Sequence, residues 1–362
     1  MRASLPPVLL YAWISVDMEA LLEQMVRHIS SPILALVIVA TMAILVRGAD
    51  LLVHEAVVLS YRSGIPKVVI GATVVSLGTT APEAVVSVLA AFQGKPGMAL
   101  GNAVGSIICD TGLVLGLACL IKPLPLDRKV VNRQGWIQVG CGFLLVLACI
   151  PWANVSGIFS EGGNLSRGTG FLFLVLLFLY LWKSISWARN DTLTADIEEP
   201  DELDASEKNA ASAWVLGKLA LGIFLVVGAS WILIPSVSEV AIRLHVPESI
   251  VAATMVAFGT SLPELVTALA ATLKGHGELA VGNVLGADIL NVLFVAGAAS
   301  AFTPGGLHAE VPFFTLYFPS MLLILVVFRI GIFVSGERLK RRFGVIMLAT
   351  YLFVTVASYL SG

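Results

Sequence analysis

A chain of 362 residues in which 57 % of positions are hydrophobic, 13 % are charged and the mean hydropathy is +0.92 is too apolar for a water-soluble domain of this length. Its formal net charge of -2 leaves no basic footprint for nucleic acid, and the charges that occur fall between apolar runs. The composition therefore places the chain in a bilayer and excludes nucleic-acid binding.

Residues 1–30 carry Asp17, Glu19, Glu23 and Arg27, which makes them too polar to span, and they lack an apolar core followed by a small-residue cleavage site. They read as an interfacial segment, with Met18 an alternative start. Apolar runs of roughly twenty residues then begin near Pro32, Lys67, Met98, Gly135, Gly168, Ala213, Ile250, Ala280, Phe313 and Val345. The expected fold is an all-α polytopic membrane protein of ten transmembrane helices, five in residues 31–189 and five in residues 213–362. Residues 190–212 between them are rich in acids, among them Asp191, Asp196, Glu198, Glu199 and Asp201. They lack the alternating oxygen ligands and central glycine of an EF-hand, so a solvated linker is favoured over a calcium sensor.

Most Lys and Arg, including Lys122, Arg128, Lys129, Arg133 and the run Arg338, Lys340, Arg341 and Arg342, fall in loops that share one side of the membrane. The positive-inside rule makes that side cytoplasmic, with both termini outside and the acidic linker inside. Cys109, Cys119, Cys141 and Cys149 all lie in apolar runs without metal or redox spacing and read as packing residues, Cys109 beside Asp110 being the one with an alternative as a soft ligand. Asp50 is expected to pair with Arg47 one turn earlier, while His54 and Glu55 read as structural or as part of a gate surface. Trp136, Trp152, Trp182 and Trp187 near span ends suggest an aromatic belt.

A constant shift that carries Pro66 onto Pro247 and Gly116 onto Gly297 aligns these two stretches without a gap. Because each half holds an odd number of spans, the second half enters the membrane the opposite way up, and matched segments converge at the midplane as inverted-topology repeats. The most alike segments are GTTAPE (Gly78 to Glu83) and GTSLPE (Gly259 to Glu264). Pro82 and Pro263 each remove a backbone donor, so carbonyls around Gly78, Thr79, Gly259 and Thr260 are expected to break from the helix and turn toward a cavity. Carbonyls, hydroxyls and the carboxylates of Glu83 and Glu264 form an all-oxygen set suited to calcium or sodium and unsuited to zinc or copper. An ionisable residue at mid-span is costly, and its occurrence twice in matched positions argues against a mere capping role.

The next span of each half carries a second stripe on one helix face, Asn102, Ser106 and Asp110 in the first and Asn283, Ala287 and Asn291 in the second. Asp110 reads as a third charged ligand, Ser106 and Asn291 as neutral ligands, and Asn102 and Asn283 as either ligands or helix-helix glue.

On these motifs the chain resembles the prokaryotic sodium/calcium exchangers of the calcium/cation antiporter superfamily. The resemblance implies that Glu83, Thr79, Thr80, Ser106, Asp110, Glu264, Thr260, Ser261 and Asn291 surround one calcium site and adjoining sodium sites. It implies also that the first and sixth spans slide as a gate against the other eight, by alternating access in a prokaryotic inner (plasma) membrane. The expected function is calcium-for-sodium antiport with no cofactor and no enzymatic activity; calcium ions, sodium ions and the lipid bilayer are the partners, and the oligomeric state is open. Two departures from the family stand out. The acid of the Asp110/Asn291 pair has moved to the symmetry-related position, with Ala287 in place of a usual serine, and Ile107 and Asp288 occupy positions where the family often has Asn. Asp288 is then either an extra acid near the ions or a structural group one residue off the stripe.

Three carboxylates against two charges on calcium leave one surplus, so one of them, Asp110, is expected to carry a proton when calcium is bound. The nearest rival is a proton-coupled calcium exchanger of the same fold, which usually carries a GNxxE-type motif instead. A distant one is an intramembrane aspartyl protease using Asp110 and Asp288 as a dyad, although the chain lacks that class's YD and GxGD patterns.

Overall fold

The computed structural model describes residue 22 and residues 24–192, 212–245 and 260–361. Most of the N-terminal segment and of the acidic linker, the expected start of the seventh span at Ile250, and Gly259 lie outside the described residues. Among those described, ten helical segments of twelve residues or more follow in order. They are α1 (Ser31–Ser63), α2 (Lys67–Phe92), α3 (Pro96–Ile121), α4 (Arg128–Cys149), α5 (Arg167–Thr192), α6 (Ser212–Arg243), α7 (Leu262–Leu273), α8 (Gly277–Phe302), α9 (Phe313–Ser335) and α10 (Arg341–Ser361). Eight of them are long and apolar enough to cross a membrane. The exceptions are α4 and α7. The fourth run starts a turn and more earlier than Gly135, because Asp127 caps the helix by accepting from the backbone N–H groups of Lys129 and Val130 at 3.0 and 3.1 Å. That start brings Arg128, Lys129, Asn132 and Arg133 into its first turns.

Under the shift that matched the sequences, α1 falls on α6, the end of α2 on the end of α7, and α3 on α8. The loop between α2 and α3 turns at Gly94 (φ 77°) and that between α7 and α8 at the matched Gly275 (φ 87°), a conformation that a side chain would strain. Helix α3 winds as a regular α-helix from Pro96 to Cys109 and loosens to a π-helical turn at Asp110–Val114. Helix α8 does the same from Gly277 to Leu290 and at Asn291–Ala296. Two short strand pairs stitch the halves together. Strand β1 (Leu124–Pro125), after α3, pairs antiparallel with β4 (Arg338–Leu339), between α9 and α10. Strand β2 (Gly163–Leu165), between α4 and α5, pairs with β3 (Leu307–Ala309), after α8.

Burial sorts the helices into inner and outer. In the apolar window of α8, 94 % of residues are buried, and in that of α3 78 %, whereas α1, α5 and α10 present most of theirs outward. Helix α8 lies backbone to backbone on α2: a Cβ added at Gly282 would collide with the carbonyl of Val68. Helices α1 and α6 also approach backbone to backbone, since a Cβ at Gly222 would stand 2.8 Å from the Leu52 nitrogen. Small residues permit this because in lipid, close van der Waals packing replaces hydrophobic burial as the force between helices. Across the same α1–α6 seam the buried Glu55 accepts an ion pair from Lys218 at 2.9 Å. Asp50, expected to pair with Arg47, instead meets Lys274 at the end of α7 at 3.0 Å. Arg47 is exposed. Trp136, Trp152 and Trp182 are each more than half exposed, as a belt requires, while Trp187 is half-buried beneath the Arg133 guanidinium at 4.7 Å.

Replacing Gly282 by Ala should destabilise the protein by about 1–3 kcal/mol through overpacking against α2. Gly140→Ala, where a Cβ meets nothing within 4 Å, should not. Thermal unfolding in detergent micelles, followed by intrinsic fluorescence, distinguishes the two.

Candidate functional site

Glu83 on α2 and Glu264 on α7 are both fully buried. The chain around them is less symmetric than the motifs suggest. Through GTTAPE the helix is unbroken from Ser76 to Phe92, with Pro82 inside it, so the expected break at Gly78 and Thr79 does not occur there. The cost of Pro82 falls on the Gly78 carbonyl, which loses its helical donor. In the second half Pro263 sits in the first turn of α7, and Thr260 and Ser261 form the turn that leads into it. The irregular part of α2 lies instead at the π-helical Gly71–Val75, where Tyr180 of α5 donates to the Ala72 carbonyl at 3.2 Å.

The two glutamates are served by exchanged partners. Thr80 donates to Oε1 of Glu264 at 3.2 Å, and Ser261, its counterpart in the second half, donates to Oε1 of Glu83 at 3.5 Å. Each carboxylate of one half is thus cradled by a Thr or Ser hydroxyl of the other. Their neighbours Thr79 and Thr260 donate elsewhere, Thr79 back to the Val75 and Ser76 carbonyls at 3.3 Å and Thr260 to Asn102 at 3.2 Å. Glu83 has a further donor, Ser106 of α3 at 2.8 Å. Glu264 has no equivalent, because Ala287 stands where Ser106 does.

Oε2 of Glu83 and Oε2 of Glu264 have no hydrogen-bond partner, nor has either oxygen of Asp110. Asp110 is fully buried and near enough to Glu264, Glu83 and Asp288 to feel their charge. The side-chain amides of Asn283 and Asn291 are likewise buried without a partner. Asn102 differs from its counterpart Asn283. It donates to Ser87 at 2.9 Å and to the Glu83 carbonyl at 3.5 Å, and accepts from Thr260 at 3.2 Å. It serves as glue between helices, and Asn283 lacks that role because Ala268 replaces Ser87 in the second half.

Among the described residues no three Asp, Glu, His or Cys side chains close on one point as a resident-metal cage would. Any ion held here draws its oxygens from hydroxyls, amides and carbonyls as well as from the carboxylates, which suits a hard cation that must also be released. Among the described residues no ion pair joins a Lys, Arg or His to Glu83, Asp110, Glu264 or Asp288.

Asp288 of α8 lies beside Asp110. Its Oδ2 accepts from the Thr111 hydroxyl and from the Gln138 amide of α4, and Gln138 also donates to Thr111 at 3.3 Å. One oxygen of Asp288 thus ties α8 to α3 and α4, while its Oδ1 is buried without a partner, as are the free oxygens of Glu83, Glu264 and Asp110. Gln138 and Ser87 carried no motif in the sequence. Gln138 shows only as an amide in an apolar run, and Ser87 only as a polar residue one turn beyond Glu83, so both were missed.

A family model described as sodium/calcium exchanger protein matches residues 33–186 and 214–360. The chain is 32 % identical over 323 residues to the inner membrane protein YrbG of Escherichia coli (strain K12), covering 88 % of this chain and 94 % of that one. It is 28 % identical over 350 residues to the sodium/calcium exchanger MaX1 of Methanosarcina acetivorans, covering 90 % and 98 %. Its fold superposes with a TM-score of 0.73 on the sodium-calcium exchanger NCX_Mj, solved after soaking with Na+ and Sr2+, at 25 % identity over 90 % of this chain and 99 % of that one. With buried glutamates crossed between two matched halves and spanning helices around them, this integral membrane protein belongs to the sodium/calcium exchanger family.

Proposed function

We propose that this protein is a secondary active antiporter that exchanges calcium for sodium by alternating access, through ten spanning helices arranged as two inverted halves of five. The observation that carries the reading is the pair Glu83 and Glu264. Each has one oxygen bonded by the opposite half and the other bare, deep among helices where bare carboxylate oxygens are costly. A calcium ion supplies the missing partner to both at once. Thr79, Thr80, Thr260, Ser261, Ser106 and Asn291 complete an oxygen shell, and loss of calcium leaves room for sodium on the same hydroxyls and carbonyls. The similarity to MaX1 and NCX_Mj, both sodium/calcium exchangers by name, supports this ion pair.

The halves comprise residues 31–189 and 213–362, joined by the cytoplasmic linker 190–212, with both termini outside. Helices α1 and α6, joined at Gly222 and by Glu55–Lys218, move as one body past the inner helices and expose the ions to either side in turn.

Labelled calcium uptake into proteoliposomes tests the coupling. An outward sodium gradient should drive uptake, and a pH gradient of equal size imposed without sodium should not; the opposite result would make protons the coupling ion. Glu83→Gln and Glu264→Gln should each lower apparent calcium affinity at least about thirtyfold, the factor corresponding to the loss of about 2 kcal/mol when one charged partner is removed.

Charge balance gives a second expectation. With Glu83 and Glu264 matching the two charges of calcium, the third carboxylate, Asp110, is neutral in the loaded site, opposite the neutral Asn291. Asp110→Asn should then hold calcium affinity within about threefold of the parent, under about 0.7 kcal/mol. Equilibrium calcium binding to the purified protein measures it, and a loss comparable to that of Glu83→Gln would make Asp110 a required charge.

A further inference from the structure

Outside the ion site, Arg329 is the most anomalous side chain in the described residues. It lies within α9, six residues before the helix ends at Ser335, or about 9 Å along the axis. It is 5 % exposed, and none of Nε, Nη1 and Nη2 has a hydrogen-bond partner. A guanidinium holds five N–H donors and is always charged, so burial without an acceptor is costly.

Its surroundings are aromatic. The guanidinium carbon stands 4.5 Å from the ring centre of Trp136 on α4 and 4.5 Å from that of Phe333, and the two rings meet edge to face at 6.1 Å. Gly135 makes room, since a Cβ there would stand 3.0 Å from Nη1. Trp136 and Phe333 are 56 % and 58 % exposed, so their outer sides form the protein's boundary with lipid. The nearby end of the bundle is basic. The β1–β4 pair brings the start of α4 beside residues 338–341, so the exposed Arg128, Lys129, Arg338, Lys340, Arg341 and Arg342 gather there.

We propose that Arg329, with Trp136 and Phe333, forms a binding site for the phosphate of an anionic phospholipid. The lipid inserts between α4 and α9, its chains lie along their outer faces and its headgroup is drawn in by the basic rim. The chemistry matches on each count. A planar fork of N–H donors pairs with phosphate oxygens, aromatic rings occupy the headgroup level, and basic residues near a membrane surface favour anionic over zwitterionic lipid. Charge complementarity, not an apolar groove, selects the occupant. The site is independent of the ion pathway and stands whichever ion drives transport.

Quenching of Trp136 fluorescence tests it, the Trp136 component being the difference between the parent and Trp136→Phe in vesicles of defined composition. At equal mole fraction in a phosphatidylcholine background, brominated phosphatidylglycerol should quench that component with about fivefold preference over brominated phosphatidylcholine, the factor for about 1 kcal/mol per basic residue at an anionic surface. The preference should fall in Arg329→Gln, the basic rim alone remaining. Equal quenching by the two lipids in the parent overturns the proposal whether or not the variant folds, as does a preference undiminished in Arg329→Gln. If millimolar inorganic phosphate shifts Trp136 emission in pure phosphatidylcholine vesicles, the site takes a free anion and the lipid assignment is wrong.

Discussion

The constraint on which the protein depends is the cost of leaving carboxylate oxygens bare where there is no water. Glu83, Glu264 and Asp110 are buried with oxygens that no donor reaches, inside helices that are otherwise apolar. Hydrogen bonds from Thr80, Ser261 and Ser106 position these groups without satisfying them. A site fully saturated by protein donors would have no use for an ion, and one with no donors would not hold its shape. The intermediate state, one oxygen fixed and one free on each glutamate, is the electrostatic condition for binding a cation that has to leave again.

The crossed pattern of hydroxyls makes the site a property of both halves at once. Neither GTTAPE nor GTSLPE builds its own carboxylate's cradle; each builds that of the other. Motion of one half against the other would therefore alter the ligands of both glutamates together, which is what a transported ion requires of its pathway. The halves depart from symmetry at Asp110 and Asn291 and in the groups that hold the glutamates. Ser106 and Ser87 in the first half are matched by Ala287 and Ala268 in the second, so Glu83 and Asn102 are better held than Glu264 and Asn283. Asp288 is anchored through one oxygen by Thr111 and Gln138 between α3, α4 and α8, and its other oxygen is bare.

The scaffold keeps this arrangement rigid by bringing backbones together. Helix α8 is the most enclosed, and its glycines allow α2 to lie against it without intervening side chains. The π-helical turns at Asp110 and Asn291 place the matched polar residues where helical hydrogen bonding is loosest. Around this rigid interior α1 and α6 form a separate pair with its own glycine contact and its own ion pair, packed on each other more intimately than a set of independent spans would be.

The amino-acid sequence by itself determined the membrane setting, the duplicated halves and the two glutamates. Hydropathy, internal repetition and an acid in an apolar run are all local signals, and each is unmistakable because lipid penalises exceptions so strongly. The family could be read in the same motifs, and its model covers both halves. Only the tertiary structure decided which hydroxyl serves which carboxylate, that Pro82 leaves its helix whole, that Asp50 meets Lys274 and that Asp288 turns to Gln138. Those outcomes depend on how segments far apart in the chain pack and rotate against one another. A helix face can be read from spacing, but the helix it meets cannot. Residues such as Gln138 and Arg329 acquire their meaning only from neighbours that no local pattern announces.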